Sequence, residues 1–271
     1  MFYLDQYIWK SDILNTPGIS HGFSTRKGGV STLPHTASMN VGFFRGDEKE
    51  TVLENIRLFC SSAGLPTAVV CTPQIHSDKI RYVTGENAGE GTVRDVPFPC
   101  DGFVTDQAGL TLLVRVADCA PVLLMGITED GRPLIGAVHA GWRGTAAGIG
   151  AKAVAMLREM GAATVRAAVG ACIHACCYQV GEEMRDTVAG LRGEAFTRRY
   201  VQERDGSLYA DIAGMNRQLL LEAGAVQVDV CGECTRCDPD LYHSHRATGG
   251  VRGTMGAAVG IVSVPGAGGD D

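Results

Sequence analysis

The sequence lacks the segments that would direct a chain into or across a membrane. No stretch approaches the roughly 18 uninterrupted apolar residues of a membrane-spanning helix. The first residues, MFYLDQYIWKSDIL, contain Asp5, Lys10 and Asp12 and show no basic segment followed by an apolar one, as a signal peptide would. We therefore predict a cytoplasmic protein with no membrane partner.

Positive charge is also scarce. The 24 Lys and Arg residues are outnumbered by 30 Asp and Glu residues, which gives a net charge of -6. Because broad nucleic-acid binding needs a basic surface, we predict no nucleic-acid partner, although a small basic pocket is compatible with this charge. The content of 45% hydrophobic and 20% charged residues is typical of an ordered globular protein.

The 271 residues contain no internal repeat, no linker and no block of like charge. We therefore predict one catalytic domain at residues 1–264 and a disordered tail at residues 265–271, since the chain ends in VPGAGGDD. No exposed apolar stripe is evident, so we expect a monomer or a weak homodimer.

Helical and strand patterns alternate along the chain, which favours a mixed α/β fold. Residues 47–64 show helical periodicity, with Asp47 as the predicted N-cap of a capping box. A β-branched run predicts a strand that ends near His76, and apolar runs after residue 101 predict buried sheet strands. Further helices are predicted at residues 182–200 and 211–223.

The ten cysteines would suggest disulfides in a secreted chain, but the N-terminus argues for reduced thiols. Two runs, CIHACC and CGECTRC, concentrate six of them. The run containing Cys231, Cys234 and Cys237 could bind a metal, but no fourth ligand is evident at a suitable spacing, although His243 and His245 follow it. The CIHACC run could be a redox site. We favour packing roles for both runs.

Three residues with metal-binding side chains lie at or beside the ends of predicted strands: His76, Cys119 and His139, here called the trio. Each alone is more often a packed, hydrogen-bonded group. Together they make the ligand set of a catalytic zinc site with an open fourth position, and copper is also compatible with thiolate and imidazole ligands. Their spacings of 43 and 20 residues exclude a local zinc finger, so the fold must bring them together.

Two basic turns are candidate anion sites. Arg143 lies in GWRG, between a predicted strand and a helix, and Arg26 precedes a Gly-Gly turn. Both could equally be exposed turn residues, and neither segment matches a P-loop or a dinucleotide-binding fingerprint. Asp101 and Asp118 could orient metal ligands or simply cap turns.

Eight segments match one known family in the same order across nearly the whole chain: HGFSTRKGGVS, SMNVGFFRGDE, PQIHS, DGFVTD, VADCAPVLL, AVHAGWRGT, GACIHACCYQVGEE and the CT…LYHSHR segment. With them the chain resembles the bacterial laccase-domain (YfiH-like) family, first labelled multicopper polyphenol oxidases and later regarded as metal-dependent purine nucleoside phosphorylases. The resemblance implies that the trio holds the metal. It also implies a single-domain α/β (α+β) layered sandwich, with central mixed β-sheets flanked by helices and related to cysteine hydrolases.

The activity implied by the resemblance is cleavage of adenosine, guanosine or inosine by phosphate to free base and ribose 1-phosphate. Adenosine deamination and methylthioadenosine cleavage are implied as side activities. We expect Zn2+ as cofactor, with copper as an alternative, and purine nucleoside and phosphate as the partners. The trio and, more weakly, Asp118 are the predicted catalytic residues. Arg26 and Arg143 are predicted to hold phosphate, and Asn40 to contact substrate. Ala171 and His245 depart from the family pattern, which leaves substrate preference open.

Three other functions use the same residues. A metal-free cysteine hydrolase would employ Cys119 as nucleophile and His139 as base, although the second imidazole of His76 favours a metal. A copper oxidase of phenols would need more ligands than a chain with seven histidines and one His-x-His pair offers. The third is a non-catalytic purine-binding or metal-binding protein.

Overall fold

Two six-stranded sheets and one three-stranded sheet make up the β-structure of residues 1–262, the part of the chain that this computed structural model describes. In chain order the strands are β1 (Phe2–Asp5), β2 (Ile8–Ser11), β3 (Ile19–Ser24), β4 (Ala68–Val70), β5 (Ile80–Tyr82), β6 (Gly102–Thr105), β7 (Leu110–Val116), β8 (Ala120–Thr128), β9 (Pro133–Ala140), β10 (Ala162–Val169), β11 (Gln179–Val180), β12 (Val201–Arg204), β13 (Ser207–Ala210), β14 (Gln227–Val230) and β15 (Met255–Ile261). The predicted tail at 265–271 lies outside the described residues.

The sheets contain both parallel and antiparallel pairs. The first has the order β1-β2-β3-β15-β7-β4, the second β14-β10-β8-β9-β6-β5 and the small third one β11-β13-β12. The pairs β4·β7, β5·β6 and β10·β14 are parallel, whereas the central ladders, such as β8·β9, are antiparallel. The mixed sheets predicted from the family resemblance are therefore confirmed.

Seven helices accompany the sheets in the described residues. They are α1 (Lys49–Ala63), α2 (Trp142–Ala147), α3 (Ile149–Glu159), α4 (Glu182–Arg192), α5 (Glu194–Tyr200), α6 (Ile212–Glu222) and α7 (His245–Thr248). Within residues 1–262, no helix has the length and apolar character that crossing a membrane requires.

The alternation of side chains along the strands produces four layers. On β8, Leu123 and Met125 face the first sheet, whereas Val122 and Leu124 pack with residues of α3 and α6. On the opposite side of the molecule, α1 covers the outer face of β7 and β15. Both large sheets are thus buried on two faces, which explains the continuous apolar runs in the sequence.

The first helix ends as predicted but begins differently. Gly64 adopts the left-handed conformation, with φ of 71°, and closes α1. The predicted N-cap, Asp47, is wrong, because Glu48 holds that position without a side-chain cap. The Asp47 carboxylate instead accepts hydrogen bonds from Thr36 Oγ1 at 2.9 Å and Asn40 Nδ2 at 2.8 Å.

Two other predicted elements are shorter in the structure. The helix predicted at 182–200 is divided into α4 and α5 at Gly193, whose φ of 84° and ψ of 162° are not helical. The strand predicted to end near His76 ends at Val70, so His76 lies in a loop. The helix predicted at 211–223 is confirmed, with Asp211 as its N-cap.

Candidate functional site

The fold brings the trio together from three separate segments. His139 lies near the end of β9, and the β8·β9 register pairs it with Pro121, two residues after Cys119. His76 arrives from the loop that follows β4. Its Nε2 is 3.9 Å from Cys119 Sγ, and the two imidazole rings lie 4.9 Å apart in an edge-to-face arrangement. All three ligand atoms lie within 4.8 Å of one another.

Asp101 orients both histidines of the trio. Its fully buried carboxylate contacts His139 Nδ1 at 2.9 Å, which leaves Nε2 of that ring free to bind a ligand. It also accepts hydrogen bonds from the backbone N–H groups of Ile75, His76 and Ser77, at 3.2, 2.9 and 2.7 Å. These bonds hold His76 at a φ of 60°, a left-handed conformation unusual for this residue type. Asp101 therefore both orients the ring of His139 and caps the turn that contains His76.

The electrostatics of the trio favour a thiolate. Burial alone would raise the pKa of Cys119, but the charge of His139 and hydrogen bonds from both histidines lower it to about 6. Burial likewise opposes ionisation of Asp101, but hydrogen bonds from His139 and Ser77 lower its pKa to about 2. Burial disfavours the charged form of His139, but Cys119 and Asp101 outweigh it and raise the pKa of His139 to about 9. In the absence of metal, these shifts favour a thiolate at Cys119 and an imidazolium at His139.

The trio has the dimensions of a three-ligand metal site. A tetrahedral ion bound about 2.3 Å from sulfur and about 2.0 Å from nitrogen separates those ligands by about 3.6 Å, close to the 3.9 Å between Cys119 and His76. Gly141 keeps the space between the ligands clear. A β-carbon at that position would lie 2.9 Å from His76 Cδ2 and 3.4 Å from Cys119 Sγ. The residues present therefore fit a metal ion.

The trio opens into a cavity of about 1360 Å³ with a largely basic lining. Its basic side chains outnumber the acidic ones, Asp47, Asp95 and Asp118. The basic residues are Arg45, Lys49, Arg94, Arg115, Arg143, Arg246 and Arg252. A concave surface with this excess of positive charge attracts anions.

Arg252 is the most constrained of these cations. Its Nη1 donates to Thr254 Oγ1 at 2.9 Å, but its buried Nε has no hydrogen-bond partner among the described residues. Burial and the nearby charge of Arg45 lower the pKa of Arg252 to about 10. A half-buried cation with an unused donor is a group that a bound anion would stabilise.

The structure separates the predicted anion-binding residues. Arg143 lines the cavity, stacks 4.1 Å from the Trp142 ring and donates to Glu183 Oε1 at 2.7 Å. Arg26 does not line it, and its Nε and Nη2 donate to the Ala37 carbonyl at 3.0 and 2.9 Å. The fold therefore brings Arg143, but not Arg26, to the cavity that contains the trio.

Asn40 and Asp118 are both held by backbone contacts. Asn40 is fully buried away from the cavity lining, and its Oδ1 accepts from the N–H groups of Gly42 and Thr254 at 3.0 and 2.9 Å. Asp118 lines the cavity beside the trio with a φ of 87°. Its carboxylate accepts from Thr235 Oγ1 and the Arg246 backbone N–H, both at 2.7 Å.

Several cavity residues had no role assigned from the sequence. Arg45, Arg246 and Arg252 lie in the FFRGD, LYHSHR and GGVRG segments, which contributed to the family resemblance or bordered it. Single arginines in loops have no periodic pattern, so only the motifs could have indicated them. Tyr178 also lines the cavity, where burial raises its pKa.

Comparison with known proteins agrees with this geometry. A family model described as multi-copper polyphenol oxidoreductase laccase matches residues 20–262. The chain belongs to that family. The resemblance drawn from the sequence motifs is confirmed.

Relatives of this laccase-family protein carry a different activity in their names. A Corynebacterium glutamicum protein named purine nucleoside phosphorylase is 38% identical over 248 residues, covering 90% of this chain and 93% of its own. One from Geobacillus stearothermophilus with the same activity in its name is 32% identical over 252 residues, covering 90% of each chain. The crystal structure of the Bacillus licheniformis hypothetical protein YfiH superimposes with a TM-score of 0.86 at 31% identity, covering 96% of this chain and 98% of that one.

The laccase-family chain contains a second group of metal-binding side chains. Cys176, Cys177, Cys234 and Cys237, here called the thiol cluster, place their sulfur atoms within 4.8 Å of one another. No fourth ligand is evident near the CGECTRC run in the sequence, but the fold brings two thiols of the CIHACC run beside Cys234 and Cys237, whereas Cys231 lies outside the group. Neither His243 nor His245 belongs to the cluster. His243 contacts the Met39 carbonyl oxygen, and His245 lines the large cavity.

Proposed function

We propose that this protein is a metal-dependent purine nucleoside phosphorylase that cleaves adenosine, guanosine or inosine with phosphate to free base and ribose 1-phosphate. The observation that carries this proposal is one cavity lined both by a trio with the dimensions of a metal site and by a half-buried arginine with an unused donor. The names of the related proteins support the same activity.

The proposed metal ligands are His76 Nε2, Cys119 Sγ and His139 Nε2, with Zn2+ as the ion and copper as the alternative. Three protein ligands leave a coordination position open, which is typical of catalytic zinc sites. When bound there, the ion would supply Lewis-acid polarisation of a substrate oxygen or nitrogen. Asp101 keeps the His139 ring in the orientation that presents Nε2, so ligand geometry exists before the ion binds.

We assign phosphate to the basic side of the cavity. Arg252 has an Nε without a hydrogen-bond partner among the described residues, and Arg45 contributes a second guanidinium group to the lining of the same cavity. Arg143 lies at a more exposed position, where Glu183 competes for it. We therefore propose Arg252 and Arg45 as the main phosphate ligands and Arg143 as an auxiliary one. Charge-assisted bonds from arginine to phosphate are among the strongest in proteins.

For the two other sequence-derived candidates we propose a supporting role. Arg26 holds the Ala37 and Pro239 carbonyls, and Asn40 holds the segment around Gly42 that leads to Arg45. They would shape the cavity without touching substrate. Asp118 stays our proposal for a proton-transfer group, because it lies next to Cys119 on the cavity wall.

The aromatic residues of the cavity suit a purine. Phe43, Phe44, Trp142 and Tyr178 line it, and its volume of about 1360 Å³ exceeds the range of roughly 300–1000 Å³ that small ligands fill. A nucleoside and a phosphate can therefore be accommodated together. We extend the proposal to methylthioadenosine cleavage and adenosine deamination as side activities, since both use the same purine and the same trio.

Phenol oxidation by several copper ions has less support. Within residues 1–262, the trio is the one group of three or more clustered ligands that includes histidine. A metal-free thiol hydrolase has a specific observation in its favour, because the pKa shifts favour a thiolate at Cys119 and an imidazolium at His139. Chelation separates that function from the proposed one.

The deciding experiment incubates zinc-loaded protein with inosine or adenosine, with and without phosphate, and quantifies free base and ribose 1-phosphate. We expect phosphate-dependent ribose 1-phosphate that disappears on chelation and in Cys119→Ala. Inertness toward every purine nucleoside in metal-loaded protein would overturn the proposal. Activity that survives chelation but is lost in Cys119→Ala would assign the thiol hydrolase instead.

A further inference from the structure

We propose that the thiol cluster binds one zinc ion as a structural site, separate from the trio. This proposal concerns residues that the proposed catalytic function does not use. None of the four cysteines lines the large cavity. All ten cysteines of the chain are free thiols in the structure, so the four sulfur atoms are available as ligands.

The sulfur positions match a tetrahedral ion. Four thiolates bound about 2.3 Å from zinc lie about 3.8 Å apart. Cys237 Sγ is 3.6 Å from Cys176 Sγ and 3.4 Å from Cys177 Sγ, and all four sulfur atoms lie within 4.8 Å. Small movements of the side chains would bring the cluster to the ideal geometry. Soft thiolate ligands in this arrangement select zinc or iron over the hard cations.

The backbone holds the two contributing loops together. Cys172 and Cys234 form a parallel β-bridge, in which the Thr235 N–H donates to the Cys172 carbonyl at 3.0 Å. The bridge places the CIHACC and CGECTRC runs side by side. The His174 N–H donates to Cys234 Sγ at 3.4 Å. Such N–H bonds to sulfur favour the thiolate, the form that binds metal.

Two of the four thiols in the cluster differ in exposure from the packing cysteines, whereas Cys177 is half-buried and Cys234 is buried. Cys60, Cys71, Cys100, Cys172 and Cys231 are buried among core residues, as packing predicts. In the thiol cluster, Cys176 and Cys237 are exposed, so hydrophobic burial does not account for their convergence. A metal ion does account for it, because exposed thiols from two runs about 60 residues apart otherwise gain little by meeting.

A structural ion there would brace one wall of the large cavity. Ile173 and Tyr178 flank the CIHACC thiols and line that cavity. On the other run, Thr235 binds the Asp118 carboxylate, whose second oxygen accepts from Arg246. Four protein ligands leave no open coordination position, so the ion would act in folding and not in chemistry.

The test uses Cys119→Ala, which removes the thiolate of the trio and leaves the thiol cluster intact. The reduced, chelator-stripped protein is titrated with Zn2+ and, separately, with Co2+. We expect one tightly held zinc per chain and a thiolate-to-cobalt absorption band. Adding Cys237→Ser should abolish the stoichiometric zinc and weaken the band. Adding Cys231→Ala instead is the matched control, because Cys231 lies in the same run outside the cluster, and both signals should persist.

Thermal unfolding gives a second readout that does not depend on a cluster variant. Chelation of zinc-loaded Cys119→Ala should lower its Tm by on the order of 5 °C or more, since a ligand that binds only the folded state stabilises it. A reduced and folded Cys119→Ala that takes up no stoichiometric zinc would overturn the proposal. Equal zinc in the Cys237→Ser and Cys231→Ala backgrounds would also overturn it, as would intact mass showing disulfides in freshly isolated protein. Because no nucleoside is involved, these results are independent of the phosphorylase assay.

Discussion

The trio and the thiol cluster both bring together cysteine or histidine side chains from segments far apart in the sequence, but they differ in ligand number and in surroundings. The trio offers three ligands, one of them a buried histidine, on the wall of a cavity of about 1360 Å³. The thiol cluster offers four ligands, two of them exposed, and none of the four lines that cavity. An open position beside a cavity permits chemistry, whereas a complete ligand set permits only structure.

The outer contacts of the two groups differ in the same way. Asp101 and Gly141 serve the trio, one by fixing ring orientation and the other by keeping the centre of the site clear. The thiol cluster is held mainly by the β-bridge between its two loops. The comparison indicates that the trio is built to hold a geometry for a reaction and the cluster to join two segments.

Removing one ligand from each group should affect two different properties, the catalytic activity in one variant and the thermal stability in the other. In Cys119→Ala, we expect kcat/KM for nucleoside phosphorolysis to fall about 1000-fold or more, because the bound metal would lower the activation free energy by several kcal/mol. The Tm of this variant should change little. In Cys237→Ser, the Tm should fall while kcat changes less than tenfold. Parallel kinetics and calorimetry check both expectations, and equal loss of activity in the two variants would contradict the assignment of roles.

The extent to which the sequence predicted these two sites follows from the physics of each. Cys119 and His139 could be predicted because each lies at or beside the end of an apolar strand of one sheet, whereas His76, in a loop six residues after β4, was indicated by its residue type and its motif. The pairing of Cys176 with Cys237 depends on an isolated bridge between loops, which leaves no periodic trace. The same reason conceals Arg252, since its direction into the cavity is set by loop conformation. The predicted role of Asp47 is wrong because an N-cap and a half-buried loop anchor use the same residue type.

Replacing Asp101 tests whether zinc binding by the trio, unlike zinc binding by the thiol cluster, depends on a residue that orients the ligands. In Asp101→Asn, the contact with His139 Nδ1 loses its charge, so we expect zinc affinity at the trio to fall about 10–100-fold. Zinc at the thiol cluster should be unaffected. Competition titrations in the Cys237→Ser background measure the first affinity alone, and Asp106→Asn on the same strand region serves as the matched control. Unchanged affinity in Asp101→Asn would show that the trio needs no outer support.

The basic side of the cavity, where we place phosphate, is the next feature that distinguishes the trio from the thiol cluster. Replacing Arg252 by Gln removes the half-buried guanidinium, so we expect the KM for phosphate to rise about tenfold. The KM for nucleoside should rise much less. Initial rates at varied phosphate check this expectation. Arg143→Gln is the control, because its guanidinium is half exposed and already bound to Glu183, and it should raise the phosphate KM less. A reversed order would move the phosphate site to the cavity mouth.

The smallest expected effect is a loss of folding stability at acidic pH, and it sets the pH range in which the trio and the thiol cluster should be compared. His21 lies in β3, away from both, and its Nε2 accepts a hydrogen bond from the Ser11 N–H at 2.9 Å. Burial, with a further contribution from the charge of Lys10, lowers the pKa of His21 to about 4, against 6.5 for an unperturbed histidine. Between these two values the unfolded chain binds a proton that the folded chain does not. Stability from this histidine is therefore complete above about pH 6.5 and is lost as the pH falls toward 4.

From about pH 7 to pH 5.5 we expect His21 to cost the fold about 1 kcal/mol of unfolding free energy. Urea unfolding of chelated Cys119→Ala measures this without a contribution from either metal. In His21→Gln the dependence on pH should be weaker over the same range. If it is not, the acid loss arises elsewhere, for example at the metal ligands themselves. Activity and zinc affinity of the trio and the thiol cluster are then comparable only above about pH 6.5, where the stability of the shared fold no longer changes with the protonation of His21.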